Sequence, residues 1–163
     1  MTPSSRVPPT RYVVERLGPP DRARANALFA MMAAVFEEPQ EELGDGYLDR
    51  LLARDDFFVL AASASAPAEA GGAGALVGGL TAHALPMTRA EATEIFVYDV
   101  AVHASHQRRG VGRLLMSHLE DISRGPLAAE LFVAADDEDE HALDFYRALG
   151  GKSSPVTVFT FSR

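Results

Sequence analysis

Residues 94–102 read EIFVYDVAV and residues 107–115 read QRRGVGRLL, and these two segments decide the fold that the sequence predicts. The first is rich in valine, isoleucine, phenylalanine and tyrosine, which is typical of a β-strand. The second places a glycine-containing turn before an apolar pattern with helical spacing. A strand that leads through such a turn into a helix exposes backbone N–H groups at the helix N-terminus. We therefore expect an anion site at this turn.

The apolar patterns of the remaining chain predict helices and strands around this segment. A strand–helix–strand unit late in the chain, behind an antiparallel hairpin, indicates a mixed α/β sheet in the order βααβββαβαβ. We expect residues 1–11 to form a disordered leader and residues 12–163 a single domain. The predicted strands cover residues 12–17, 57–62, 76–85, 94–102, 127–135 and 156–161, a flexible loop covers 63–75, and the helices start at 21, 46, 111 and 142.

The composition narrows the class of protein. The chain has 163 residues, a formal net charge of −8 and no cysteine. The absence of cysteine excludes disulfides, thiolate metal sites and cysteine nucleophiles. A chain without cysteine fits a reducing compartment, and we therefore expect a cytoplasmic protein. The negative charge argues against nucleic acid as a partner. No segment approaches the ~20 apolar residues of a membrane helix. His103 and His106 have metal-ligand spacing but no further ligands in view, so no metal is expected.

The turn at residues 107–112 can be compared with known phosphate-binding motifs. The P-loop motif G-x-x-x-x-G-K-[ST] is absent, and the Rossmann motif would need a glycine where Leu115 stands. The pattern Q/R-x-x-G-x-G/A does match. With the strand before it and ALDFYRALG at residues 142–150, the chain resembles the GNAT superfamily of N-acetyltransferases. The alternative is an ordinary glycine turn with solvated arginines.

This resemblance implies acetyl-CoA as the cosubstrate and gives roles to individual residues. Tyr146 matches the superfamily tyrosine whose hydroxyl lies near the sulfur, and a phenol with a reference pKa of ~10 can protonate or stabilise a departing thiolate. The alternative for Tyr146 is a core aromatic side chain. Dimers are frequent in the superfamily, so the resemblance also implies a homodimer. The implied cofactor-binding residues are Val100, Ala101 and Val102 for the acetyl and pantetheine groups, and Gln107, Arg108, Arg109, Gly110, Val111, Gly112 and Arg113 for the phosphates.

Two carboxylates are candidates for the group that takes the proton of the acceptor amine. Asp99 lies in an otherwise apolar strand, where an ionised carboxylate without a partner would be costly. It is therefore either held by structural hydrogen bonds or directed into the catalytic cleft. Strict alternation groups Asp99 with Ile95, Val97 and Ala101. A β-bulge, common in the central strand of this superfamily, could redirect it. Glu94, at the start of the strand, is the second candidate, acting through water.

Acidic residues indicate the class of acceptor. One acidic cluster lies between the first two helices and includes Glu38, and another occupies residues 136–140. Two such clusters at one cleft would attract a polycation, whereas the alternative is ordinary solvated charge. FFVLAA at residues 57–62, HALP at residues 83–86 and the acidic run before FYRALG resemble the type I aminoglycoside 3-N-acetyltransferases. This resemblance implies direct transfer in a ternary complex. The rival acceptors are polyamines or a protein amine, and a non-catalytic acetyl-CoA-binding module is the rival class. The implied acceptor ligands are Tyr98, Asp99, Asp136, Asp137, Asp139 and Glu38.

Overall fold

The computed structural model describes residues 10–65 and 74–162, so most of the predicted leader and of the predicted loop at 63–75 lies outside the described residues. The order of elements follows the prediction up to the last strand. Short 3₁₀ turns precede α1 and α3. The strands are β1 (Arg11–Arg16), β2 (Phe57–Ser65), β3 (Ala75–Pro86), β4 (Thr93–Val102) and β5 (Ala128–Val133), and the helices are α1 (Arg22–Phe36), α2 (Asp45–Leu52), α3 (Val111–Ser123) and α4 (Glu140–Ala148).

The five strands form one sheet in the order β1-β2-β3-β4-β5. The first four strands pair antiparallel, and β5 pairs with β4 in parallel, as expected for a strand that follows a helical crossover. The predicted mixed α/β fold class is therefore confirmed. The chain divides into two compact units, Met1–Val133, which contains the sheet and α1 to α3, and Ala134–Arg163, which contains α4.

Helices α1 and α3 cover opposite faces of the sheet. Two adjacent glycines in β3 show which face each helix covers. A Cβ on Gly79 would lie 2.6 Å from the Met32 sulfur and 2.8 Å from Leu28 Cδ1, both on α1. A Cβ on Gly78 would lie 3.0 Å from Val111 on α3. We call these two sides the α1 face and the α3 face. Because side chains alternate along a strand, Gly79, Thr81 and His83 share the α1 face, and Gly78, Leu80 and Ala82 share the α3 face.

Helix α1 ends at Phe36, three residues before Pro39. Glu37 adopts the left-handed conformation, with φ of 58°, and the Glu38 N–H donates to the Ala33 carbonyl at 3.0 Å. This closing pattern is common at helix ends, although glycine usually occupies the left-handed position. It turns the chain so that the acidic segment starting at Glu37 follows directly on the helix.

The strand predicted at residues 156–161 was wrong. Residues 151–162 contain no assigned strand, and Val156, Val158, Phe159 and Phe161 are between 77% and 88% exposed. The alternation of β-branched and aromatic residues in VTVFTF records a preference for a pleated, half-buried surface. That preference produces a strand only where a neighbouring strand supplies hydrogen bonds and packing.

None of the helices in the described ranges combines the length and apolar character that a transmembrane helix requires.

Candidate active site

The central strand β4 is irregular at Tyr98. Thr81 of β3 pairs with Asp99, and the next β3 residue, Ala82, pairs with Val97, so Tyr98 is an extra residue without a β3 partner. Such an insertion is a β-bulge, and it reverses the alternation of side chains beyond it. Val97 therefore lies with Ala82 on the α3 face, whereas Asp99 lies with Thr81 on the α1 face. The expectation that a bulge could redirect Asp99 is confirmed.

Asp99 is half-buried and held by one hydrogen bond. The Thr81 hydroxyl donates to Asp99 Oδ2 at 3.0 Å. Burial raises the pKa of Asp99 above its ordinary value of 3.8, and the negative charge of Glu38 raises it further. The Thr81 hydrogen bond and the nearby His83 lower this pKa without cancelling the effect of burial. A carboxylate with a raised pKa is a better proton acceptor than an exposed one.

Glu94, the second candidate base, lies near the other end of β4. It pairs with Leu85 of β3 and with Glu130 of β5. Four residues of β4 lie between Glu94 and Asp99, which corresponds to a separation of roughly 13–16 Å. The two candidate bases therefore do not form one cluster, and a single amine cannot contact both.

The turn before α3 has the geometry of an anion site. Arg108 has φ of 60° and Gly110 has φ of 84°, and α3 begins at the next residue, Val111. Gly110 is the N-cap residue and makes no side-chain capping hydrogen bond, and the first turn of α3 contains no acidic residue. The first N–H groups of α3 therefore receive no side-chain cap from Gly110, and they lie at the positive end of the helix dipole.

Two side-chain contacts hold this turn in place. The Tyr12 hydroxyl of β1 lies 3.0 Å from His106 Nδ1, and the two rings meet edge to face at 5.7 Å. The Gln107 side-chain amide donates to the Val102 carbonyl at 3.0 Å. The turn is therefore tied both to β1 and to the end of β4. Tyr12 was not among the residues that the sequence singled out, because its partner lies 94 positions away.

The strands β4 and β5 separate beyond Val97. Their pairing ends at the Val97–Val133 pair, whereas β4 continues to pair with β3 as far as Val102. The edge of residues 98–102 that faces away from β3 is thus not part of the β5 ladder. A pantetheine arm carries amide groups that can pair with such an edge, as an added strand would. These residues include Val100, Ala101 and Val102, for which the resemblance implied this role.

In the second unit, the predicted acidic site residues lie just before α4, and Tyr146 lies in the last turn of this helix. The Asp139 Oδ1 accepts from the Ala142 N–H at 3.0 Å and so caps α4, and Asp136 Oδ1 accepts from the Glu138 N–H at 2.9 Å. Both acids therefore have a local structural function that the sequence analysis missed, although an aspartate three residues before an apolar helical pattern is a known helix-start signal. The Tyr146 ring packs edge to face on Phe145, with centroids 5.1 Å apart.

Comparisons with known proteins agree with this geometry. The family model for the Acetyltransferase (GNAT) family matches residues 26–150. The chain therefore belongs to the GNAT family of acetyltransferases, whose members use acetyl-CoA. A search of curated proteins found no match.

Among solved structures, three aminoglycoside acetyltransferases are similar to this chain. One, from an uncultured soil metagenomic sample and solved with sisomicin, has a TM-score of 0.84 and 28% identity over 93% of this chain and 96% of its own. A second, also from an uncultured soil sample, has a TM-score of 0.83 and 32% identity over 94% of this chain and 99% of its own. A third, an aminoglycoside N-acetyltransferase in complex with CoA, has a TM-score of 0.75 and 14% identity over 100% and 99%, and it shows the shared fold alone.

Proposed function

We propose that this acetyltransferase transfers an acetyl group from acetyl-CoA to an amine of a polycationic small molecule, and that the 3-amino group of an aminoglycoside is its best acceptor. One observation carries the proposal: the bulge at Tyr98 turns Asp99 onto the α1 face, where it is half-buried beside Thr81. The similarity to the soil-metagenome aminoglycoside acetyltransferases over more than nine-tenths of the chain supports the acceptor class. The choice of the 3-amino group rests on the sequence resemblance.

The residues present fit acetyl-CoA. The uncapped N-terminus of α3 and the left-handed backbone of Arg108 and Gly110 suit a pyrophosphate group. Arg108 and Arg109 are exposed in the same turn and can reach a further phosphate. The separated edge of residues 98–102 suits the pantetheine amides. We propose that Gln107, Gly112 and Arg113 complete this binding segment.

Two side chains, Asp99 and Tyr146, are proposed to carry the proton transfers. Acetyl-CoA supplies the acetyl group activated as a thioester. Thr81 binds Asp99 Oδ2, so we assign the second oxygen, Oδ1, to receive the proton that the amine loses as its nitrogen bonds to the acetyl carbon. The Tyr146 hydroxyl donates a proton to the sulfur as the carbon–sulfur bond breaks. No covalent enzyme intermediate is needed, and the transfer takes place in a ternary complex.

Further acids are proposed to bind the other ammonium groups of the acceptor. Glu38 is exposed at the end of α1, and its charge acts on Asp99. In the second unit, Asp136 and Asp139 each use one carboxylate oxygen in a local hydrogen bond, so the other oxygen is the one we assign to the acceptor. Asp137 is exposed in the same segment. Several carboxylates that each bind an ammonium group favour a polycation over a monoamine.

We also propose a homodimer, because residues 156–161 expose side chains suited to a strand. Two phenylalanines and two valines in this segment are largely exposed, and the phenylalanines alone offer roughly 150–200 Å² each. In two copies that exchange such segments, four rings and an equal area of the surface that they cover would bury roughly 1,200–1,600 Å², the size of a stable interface. Sedimentation of the protein and of the Phe159→Asp/Phe161→Asp variant tests this. We expect the wild type to sediment as a dimer and the variant to sediment as a monomer. A monomeric wild type would refute the proposed homodimer.

A substrate panel tests the proposed activity. Acetyl-CoA-dependent thiol release should be measured with gentamicin, kanamycin and spermidine in parallel, and the product from gentamicin should be acetylated at the 3-amino nitrogen. Activity with spermidine alone would refute the aminoglycoside assignment. Binding of acetyl-CoA without turnover of any amine would refute the enzyme assignment. Tyr146→Phe should lower the turnover number more than the affinity for acetyl-CoA, and equal values for both proteins would refute the proposed acid.

A further inference from the structure

Five rings form a continuous row across four strands of the sheet. Phe57 of β2 packs on His83 of β3 at 4.7 Å between centroids, and His83 meets Tyr98 of β4 at 5.8 Å. Tyr98 meets Phe96 at 5.8 Å, and Phe96 stacks on Phe132 of β5 at 5.1 Å. Phe96 pairs with both His83 and Phe132 in the strand registers. This aromatic row therefore lies on the α1 face, the face that also carries Asp99.

The aromatic row passes from the core to the surface. Phe57 is only 8% exposed, whereas Tyr98 is 61% and Phe132 39% exposed. Cross-strand ring pairs stabilise sheets, and this explains the buried part of the row. It does not explain the exposed ring of Tyr98, because the bulge leaves this residue without a paired residue in the β3 register. Large exposed rings in a contiguous patch are a feature of binding surfaces.

Negative charge lies beside the exposed end of the aromatic row. Asp99 follows Tyr98 directly in the chain, and Glu38 and His83 are both close enough to act electrostatically on Asp99. A ring surface and carboxylates thus adjoin on one face of the sheet. The rings can pack against the apolar surface of a ligand, and the carboxylates can bind its ammonium groups.

We propose that the aromatic row is an acceptor-binding surface that selects polyamines built on saturated rings over linear polyamines. This inference rests on the proposed function, since it names the class of amine that the same site accepts. The saturated rings of such an amine pack on Tyr98 and Phe132, both of which contact Phe96, while its ammonium groups reach Asp99 and Glu38. A linear polyamine carries the same charge but has no ring face, so it gains only the electrostatic part.

Equilibrium binding separates the ring contribution from the charge contribution. Calorimetry should be carried out on the full chain with gentamicin and with spermidine, for the wild type and for Tyr98→Ala, Tyr98→Phe and Phe132→Ala. We expect Tyr98→Ala to weaken gentamicin binding about tenfold, and Tyr98→Phe to stay within about threefold of the wild type because the ring is retained. Spermidine binding should change by less than about twofold in every variant.

Two readouts guard against a general loss of structure. The edge proposed for pantetheine is formed by backbone groups, so the KM for acetyl-CoA should not change in Tyr98→Ala. Val13→Ala, an exposed apolar position on β1 at the far edge of the sheet, should bind gentamicin like the wild type. Equal losses for gentamicin and spermidine, or no loss in either alanine variant, would overturn the inference. Ring-dependent gentamicin binding without acetylation would refute the proposed function alone. If Tyr98→Ala and Phe132→Ala acetylate gentamicin as the wild type does, the proposed role of the aromatic row is refuted, and the proposed function is not.

Discussion

The Thr81 hydroxyl donates a 3.0 Å hydrogen bond to the Asp99 carboxylate at the position where the β3–β4 register shifts by one residue. Without that shift, Asp99 would face the α3 side with Val97, which is fully buried. A carboxylate placed there would face a large desolvation cost without a partner. The bulge thus moves the one acid of the central part of β4 from an apolar core to a half-buried, hydrogen-bonded position.

Asp99→Asn tests the proposed base. Asparagine keeps the shape of the side chain and can accept the Thr81 hydrogen bond, but it cannot take a proton from the amine. We expect kcat with gentamicin to fall by about 10²–10⁴-fold, and we expect the KM for acetyl-CoA to be unchanged. Asp121→Asn, an exposed surface acid on α3, is the matched control and should retain full activity. A loss of less than about fivefold in Asp99→Asn would assign the proton to another group.

The raised pKa of Asp99 predicts a specific pH dependence of stability. The folded chain binds this proton more tightly than the unfolded chain, so the contribution of Asp99 to the free energy of unfolding falls as pH rises from 3.8 through the higher folded-state pKa. Asp99→Asn removes this titration, whereas all other groups titrate in both proteins. The melting temperature of the variant minus that of the wild type should therefore increase with pH through this window. A difference independent of pH would contradict the raised pKa.

Catalytic activity should also depend on the protonation of Asp99, but it should rise with pH where the stability contribution falls. Only the ionised carboxylate accepts a proton, so kcat/KM should rise with pH as Asp99 loses its proton, with an acidic limb that lies above 3.8. The amine must also be neutral, and this adds a second, more alkaline limb. In Asp99→Asn the acidic limb should disappear from the residual activity. Its persistence would show that a different acid controls the limb.

Gly110→Ala tests the backbone of the turn before α3, which is proposed to bind the phosphates of acetyl-CoA. Gly110 has φ of 84°, and a Cβ at this position would meet no atom within 4 Å, so the substitution is unfavourable for its backbone conformation alone. We expect a loss of about 1–2 kcal/mol in stability, together with a higher KM for acetyl-CoA. Gly125→Ala is the control, because Gly125 also has open space around its Cβ position and no left-handed φ. An unchanged KM for acetyl-CoA in Gly110→Ala would remove the turn from the proposed site.

Tyr12→Phe tests whether the hydrogen bond to His106 positions that turn. The ring contact at 5.7 Å remains, and only the hydroxyl that lies 3.0 Å from Nδ1 is lost. The loss of one such bond should raise the KM for acetyl-CoA by about two- to tenfold and leave kcat nearly unchanged. Tyr47→Phe, which removes a hydroxyl from a half-exposed tyrosine on α2, should change neither constant. A fall in kcat at constant KM would contradict a positioning role.

The sequence was sufficient for those features that depend on neighbours along the chain. The strand, turn and helix of residues 94–115 could be predicted because each is encoded in local periodicity and in glycine placement. The acid at position 99 was recognisable as unusual because its neighbours are apolar. The strand predicted at 156–161 failed for the complementary reason, since a strand needs a partner and the periodicity of VTVFTF does not name one.

Other features depend on how distant segments meet. The face on which Asp99 lies is decided by the β3–β4 register, and Thr81 is 18 positions away from it. The aromatic row takes rings from four strands, and the tie between Tyr12 and His106 spans 94 positions. By itself, then, the sequence indicated the family, the five strands of the sheet and the glycine turn before α3. Only the tertiary structure decided which way Asp99 points and which rings stand beside it, because a bulge is a property of two paired strands and not of one.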